Sequence, residues 1–160
     1  RIGSATAKGL GLALKKPLLA VPTVEALAYN LWGSSALICP IMDARRSQVH
    51  TGLYYAEEEL QTEKEPCAMD MHELISELNA RGERTVFLGD GVPVYESLIR
   101  RELTVAYSFA PPQSSRQRAA SVAALGELYM KQGRMVTAAD FKPEYLRKPQ
   151  AEREREGIEL

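Results

Sequence analysis

The sequence has few cysteines: Cys39 and Cys67 are the two thiols among its 160 residues. Two thiols are too few for the disulfide framework of a small secreted domain, or for a metal site built from four cysteines. A reducing compartment therefore fits best. Because no charged-then-apolar leader opens the sequence, we expect a cytoplasmic protein.

The sequence also lacks a long apolar run and an excess of charge of one sign. Its longest apolar run lies near residues 36–41, whereas a helix needs about 20 such residues to span a bilayer. The 20 Lys and Arg residues stand against 21 Asp and Glu residues, which gives a formal net charge of −1. We therefore expect no membrane partner and no global attraction toward nucleic acid.

The apolar residues that are present, 45% of the chain, suffice for one domain or two small lobes. Their periodicity predicts alternating helices and strands, followed by an irregular, highly charged tail. In chain order these are helix 1–16, strand 17–21, helix 24–32 capped by Thr23, strands 36–42, 48–56 and 59–64, helix 71–81, strand 85–88, helix 94–103, strand 104–109, and helix 116–132 capped by Ser115.

This order predicts an α/β fold. A three-stranded meander followed by alternating helices and strands is typical of a ribonuclease H-like lobe, which we place in residues 35–160. Residues 1–34 have a helix-strand-helix pattern, and we interpret them as the remnant of a second, incomplete lobe. No internal sequence repeat accompanies this duplication.

The first predicted helix carries a stripe of small residues, since Ala5, Gly9 and Ala13 recur every four positions. Gly9 and Gly11 each cost a helix about 1 kcal/mol relative to alanine. A helix that keeps both glycines is expected to have its backbone approached closely. The stripe either packs against the chain's own sheet or receives a partner helix.

Two loops are weaker candidates for a nucleotide site. Asp43 lies where a strand turns into a hairpin, and its carboxylate either bonds the turn amides or approaches a phosphate and its metal-bound waters. Gly89 and Gly91 flank Asp90 between a strand and a helix, so their amides either face an anion or permit a tight turn. The turn interpretation is the commoner one for both loops.

Five segments together resemble the TsaB (YeaZ) family of bacterial tRNA threonylcarbamoyladenosine biosynthesis proteins. They are RIGSATAKGL at 1–10, VPTVEALA at 21–28, PIMDAR at 40–45 with 49–54, FLGDGVPVY at 87–95, and PEYLR at 143–147. The resemblance implies an actin-like (ASKHA) fold of two ribonuclease H-like lobes. The first lobe is expected to be incomplete here, because the family's first strand and its glycine-rich segment before RIG are missing.

The resemblance also implies a function. The family modifies adenosine 37 of tRNAs that read codons beginning with A, and its members act as non-catalytic partners of TsaD and TsaE. Partner binding, by TsaD or by a second copy, is implied for the first helix, and the expected residues are Ile2, Ala5, Thr6, Gly9 and Ala13. Contact with tRNA is expected only through the complex.

We expect no catalytic residue and no metal ligand in this chain. The catalytic paralogue carries a His-x-x-x-His pair, whereas His50 and His72 fall in different predicted elements. No cofactor is expected on this chain by itself, and ATP or ADP is possible in the complex. The alternative is an enzyme, either an actin-like nucleotide phosphohydrolase or a glycoprotease.

Overall fold

The computed structural model describes residues 2–143 and residue 146. The predicted charged tail and most of the 143–147 segment lie outside the described residues. The elements are α1 Ile2–Leu14, β1 Leu18–Leu19, α2 Thr23–Ala28 with a 3-10 turn Tyr29–Leu31, β2 Ser34–Asp43, β3 Gln48–Ala56, β4 Gln61–Asp70, α3 Met71–Arg81, β5 Thr85–Leu88, α4 Val92–Glu102, β6 Tyr107–Phe109, a 3-10 turn Pro112–Ser114, α5 Ala119–Lys131 and β7 Met135–Val136.

The main sheet has five strands in the order β4-β3-β2-β5-β6. The first three form the predicted antiparallel meander, while β5 runs parallel to β2 and β6 runs parallel to β5. Parallel neighbours need a crossover connection. The crossover from β5 to β6 is α4, and α3 leads from β4 to β5.

Apolar side chains are buried on both faces of this sheet, because successive residues of a strand point to opposite sides. On one face, Cys39 of β2 packs with Leu74 of α3 and Ile99 of α4. On the other face, Ile38 packs with Leu27 of α2. The sheet is therefore covered by helices on both sides.

Helix α3 has the predicted bounds 71–81 because both of its ends are capped. The Asp70 side chain accepts a hydrogen bond from the His72 amide at 2.8 Å, which satisfies one of the free N–H groups of the first turn. Gly82 follows in the left-handed conformation at φ 73°, which favours glycine.

Other boundaries differ from the prediction. Strand β4 extends to Asp70 and passes through Pro66, which is tolerated because β4 is an edge strand. The predicted caps are wrong at two helices: Pro22 precedes α2, and Arg118, not Ser115, precedes α5. Neither Pro22 nor Arg118 makes a side-chain cap hydrogen bond.

The segment before residue 34 is joined to the rest of the fold. Helix α2 packs on the main sheet, and the Asn30 amide donates to the carbonyls of Ser114 and Arg116 at 2.9 and 2.8 Å. Strand β1 pairs antiparallel with β7, where the sequence predicted irregular chain. The division at residue 34 stays a prediction.

Candidate functional site

Helix α1 exposes much of its apolar surface. Ile2, Leu10, Leu12 and Leu14 are 87%, 58%, 63% and 65% exposed. Side chains at these positions point in several directions around a helix. Burial of large apolar side chains is the usual outcome of folding, so a helix with four of them in water is a candidate binding surface.

The small-residue stripe lies on this exposed surface. Ala5, Gly9 and Ala13 are all exposed, and a Cβ added at Gly9 would meet no atom of the described residues within 4 Å. Thr6 is exposed as well, and its hydroxyl donates to the Ile2 carbonyl at 3.0 Å. The structure thus brings together the five residues predicted for partner binding, on the open side of one helix.

The opposite side of α1 is held by residues 135–141, which we call the strap. Gly11 is buried, and a Cβ there would lie 3.1 Å from Leu18 Cδ2 and 3.2 Å from Ala138 Cβ. The Lys8 ammonium donates to the carbonyls of Ala139 and Phe141 at 3.3 and 3.1 Å. Close approach to the helix backbone therefore occurs at Gly11 and not at Gly9, and the neighbour is the chain itself.

Asp43 stabilises the hairpin between β2 and β3. Its Oδ1 accepts the Arg45 amide at 2.9 Å, and its Oδ2 lies 3.4 Å from the Arg45 guanidinium. The Tyr95 hydroxyl lies 3.4 Å from Asp43 Oδ1 and 3.3 Å from the Gln48 carbonyl oxygen, and its one proton is shared between these two acceptors. Burial, followed by the Asp43 carboxylate, raises the pKa of this hydroxyl, which keeps it a donor. These contacts support the turn interpretation of Asp43.

The hairpin backbone is unusual between residues 45 and 47. Arg45, Arg46 and Ser47 have φ values of 67°, 56° and 59°, although none of them is glycine. Each such residue costs about 1–2 kcal/mol relative to the ordinary right-handed conformation. The Asp43 side chain and the hydrogen bond from the Met71 amide to the Ser47 carbonyl, at 2.8 Å, offset this strain.

The amides of Gly89 and Gly91 are used inside the fold. The Gly89 N–H donates to the Ser115 carbonyl and the Gly91 N–H to the Ile41 carbonyl, each at 3.0 Å. Gly89 has φ 108°, and a Cβ there would overlap the Ile41 carbonyl oxygen. Glycine is therefore required at position 89, and a Cβ at Gly91 would lie 3.0 Å from the same carbonyl oxygen. Nucleotide contact at Asp43, Gly89 and Gly91 stays a prediction, and these hydrogen bonds leave the two glycine amides engaged.

The two histidines of the chain lie apart, and the described residues around them form no metal site. Within residues 2–143 and 146, no three His, Cys, Asp or Glu side chains lie close enough together to hold a metal ion. His50 lies in β3 and His72 in α3, where His72 Nδ1 is 2.8 Å from Glu102 Oε2. No helix in these residues is long and apolar enough to cross a membrane.

These features define a class of protein. An antiparallel meander continued by parallel strands through crossover helices is the ribonuclease H-like arrangement, and the chain is an α/β protein of the actin-like type. The sequence pattern of the family described as "TsaD: tRNA N6-adenosine threonylcarbamoyltransferase" matches residues 1–155. The chain belongs to this family.

The resemblance to TsaB is confirmed by a curated relative. The tRNA threonylcarbamoyladenosine biosynthesis protein TsaB of Bacillus subtilis (strain 168) is 31% identical over 156 residues, which cover 95% of this chain. The chain spans 65% of the length of that relative.

Solved structures show the same fold. YeaZ from Pseudomonas aeruginosa superposes with a TM-score of 0.71 at 21% identity, over 91% of this chain and 67% of that one. A second structure is described as an uncharacterized protein with similarity to peptidase YEAZ from Pseudomonas aeruginosa. It superposes with a TM-score of 0.68 at 20% identity, over 92% of this chain and 67% of that one.

Proposed function

We propose that this chain is a non-catalytic partner subunit in the threonylcarbamoylation of adenosine 37 in tRNAs that read codons beginning with A. TsaD is the partner that binds it, and TsaE acts with the pair. The observation that carries the proposal is the exposed apolar surface of α1, with its small-residue stripe at Ala5, Gly9 and Ala13. The family match supports the pathway.

The chemistry of α1 suits a helix-to-helix contact. Fully burying a leucine or isoleucine side chain contributes about 1.5–3 kcal/mol, so each of these exposed side chains that a partner helix covers favours association. Small residues along the stripe let a second helix approach closely. Because Lys8 and Gly11 hold the other side of α1 against the strap, the surface is presented in a fixed orientation, which lowers the entropic cost of binding.

The proposed complex also defines what this chain does not do alone. Its contact with tRNA is indirect, through TsaD, and ATP or ADP binds in the complex. The cytoplasm is the compartment in which it acts. Residues 1–34, which include α1, form the interface segment, and residues 35–160 form the ribonuclease H-like lobe that supports it.

Reconstitution of tRNA modification tests the proposal. TsaD, TsaE, ATP, substrate tRNA and a source of the activated threonylcarbamoyl group are incubated with and without this chain, and modified adenosine is measured by mass spectrometry of the digested tRNA. We expect modification to require this chain together with TsaD, and this chain without TsaD to give none. Modification or rapid ATP hydrolysis by this chain alone would show that it is the enzyme.

A second copy is the competing occupant of α1. Gel filtration of the chain over a range of concentrations, with and without TsaD, separates the two partners. A dimer that persists when equimolar TsaD is added would assign the surface to self-association, whereas its conversion to a one-to-one complex supports the proposal.

A further inference from the structure

A groove of about 520 Å3 opens on the face of the sheet that carries α2. One wall is the segment 19–24, which runs from the last residue of β1 into the first turn of α2. Met42 and Pro66 line the groove from the sheet. Val122 of α5 and Phe141 of the strap also line it. Volumes of about 300–1,000 Å3 with mostly apolar linings are typical of small-molecule sites.

Among the described residues, two ionisable side chains line the groove, and both are basic. His50 and Lys142 are among the described lining residues, and those residues include no Asp or Glu. Lys142 is exposed, so its ammonium lies at the solvent edge, and His50 is half-buried. An apolar interior with a lysine and an imidazole complements a molecule that has an apolar body and one negative charge.

We propose that this groove binds a small amphipathic carboxylate, with its hydrocarbon body between Met42, Pro66 and Phe141 and its carboxylate at Lys142 and His50. The bound hydrocarbon chain covers the apolar side chains of the groove and excludes water from them. The carboxylate stays in contact with solvent and with the Lys142 ammonium. No residue of α1 lines the groove, and the connection between the two sites is the strap, where the Phe141 carbonyl accepts a hydrogen bond from Lys8 of α1.

The chain provides a direct spectroscopic test, because it has two histidines and one of them lines the groove. Octanoate is titrated into the protein while the imidazole resonances of His50 and His72 are followed by NMR. We expect a saturable shift of the His50 resonances and little change at His72, which lies on α3 beside Glu102. Octanol has the hydrocarbon chain without the carboxylate, and acetate has the carboxylate without the chain. Each should bind at least about tenfold more weakly than octanoate.

Two variants in the groove and one control variant outside it test the location of the site. Lys142→Gln should weaken octanoate binding several-fold, while Lys131→Gln, which removes a lysine paired with Glu127 on α5, should leave it unchanged. Val122→Trp, at a half-exposed groove position, should abolish the His50 shift by filling the space. Equal affinities for octanol and octanoate, equal shifts at both histidines, or no saturable shift would each overturn the proposal.

Discussion

Tyr54 shows how a single residue can be well packed and still chemically unsatisfied. Its side chain is fully buried in β3, and its hydroxyl has no hydrogen-bond partner among the described residues. The ring lies over Gly52, where a Cβ would overlap the hydroxyl oxygen. Burial, with the Glu25 carboxylate as the next cause, raises the pKa of this hydroxyl. A buried polar group without a partner costs about 1–3 kcal/mol.

Replacing this hydroxyl should therefore not weaken the fold. We expect Tyr54→Phe to raise the free energy of unfolding by about 1 kcal/mol, measured by urea denaturation. Tyr95→Phe is the matched control, and it should lower the free energy of unfolding by about 1 kcal/mol because it removes a hydroxyl that is bonded to Asp43 and the Gln48 carbonyl. A loss of more than about 1 kcal/mol in Tyr54→Phe would mean that the hydroxyl is bonded after all.

Cys39 makes stability depend on pH in the alkaline range. Burial raises the pKa of its thiol from 9.0 to about 12, and the Thr51 hydroxyl offsets a small part of this shift. Below pH 9 the thiol is protonated in both the folded and the unfolded chain. As the pH rises above 9, the unfolded thiol ionises first, so the folded state loses stability.

We expect the free energy of unfolding to fall between pH 9 and pH 10, with about 1 kcal/mol of the fall due to Cys39. In Cys39→Ala the free energy of unfolding should fall by about 1 kcal/mol less between pH 9 and pH 10. This difference in slope does not depend on how stable the variant is at pH 7. The other groups whose pKa is raised, including Cys67, contribute equally to both proteins. Identical pH slopes for the two proteins would contradict the assignment.

At the level of the elements, the sequence predicts helix bounds correctly where the signals that end the helix are local. Helix α3 has the expected bounds because Asp70 and Gly82 mark its ends in the sequence itself. Strand β7 was missed because two exposed residues carry no periodic pattern, and their pairing depends on β1, more than a hundred positions away. The same limit applies to α1, since only tertiary neighbours distinguish the buried Gly11 from the open Gly9.

The two glycines of α1 should respond differently to a side chain. Gly9→Ala adds a methyl group to open space and should stabilise the helix by up to about 1 kcal/mol. Gly11→Val pushes against Leu18 and Ala138 and should cost about 1–3 kcal/mol, loosening the strap. Hydrogen exchange of the α1 amides should therefore slow in the first variant and accelerate in the second. Faster exchange in Gly9→Ala would show that Gly9, too, is closely approached.

At the scale of the whole molecule, the fold class and the family followed from the order of elements and from five short segments. The candidate site could be predicted from the sequence only in part. The sequence indicated a small-residue stripe on the first helix but left open whether it faces the chain's own sheet or a partner. The answer depends on what covers α1, and the strap that covers its other side has no sequence signature. Asp43 and the two loop glycines lie at turns, where Asp43 accepts the Arg45 amide and Gly89 has a positive φ, and nucleotide contact there stays a prediction.

The affinity of this chain for TsaD, measured by isothermal titration calorimetry, tests whether α1 is a partner-binding surface. The wild-type chain should bind, and Gly9→Leu should weaken binding about tenfold or more, because a leucine on the stripe holds the partner helix away. Ala80→Leu, which adds a leucine side chain at an exposed position of α3 on the other side of the sheet, should bind like wild type. If Gly9→Leu binds TsaD as tightly as the wild-type chain does, or if the wild-type chain does not bind TsaD, then α1 is not the TsaD-binding surface.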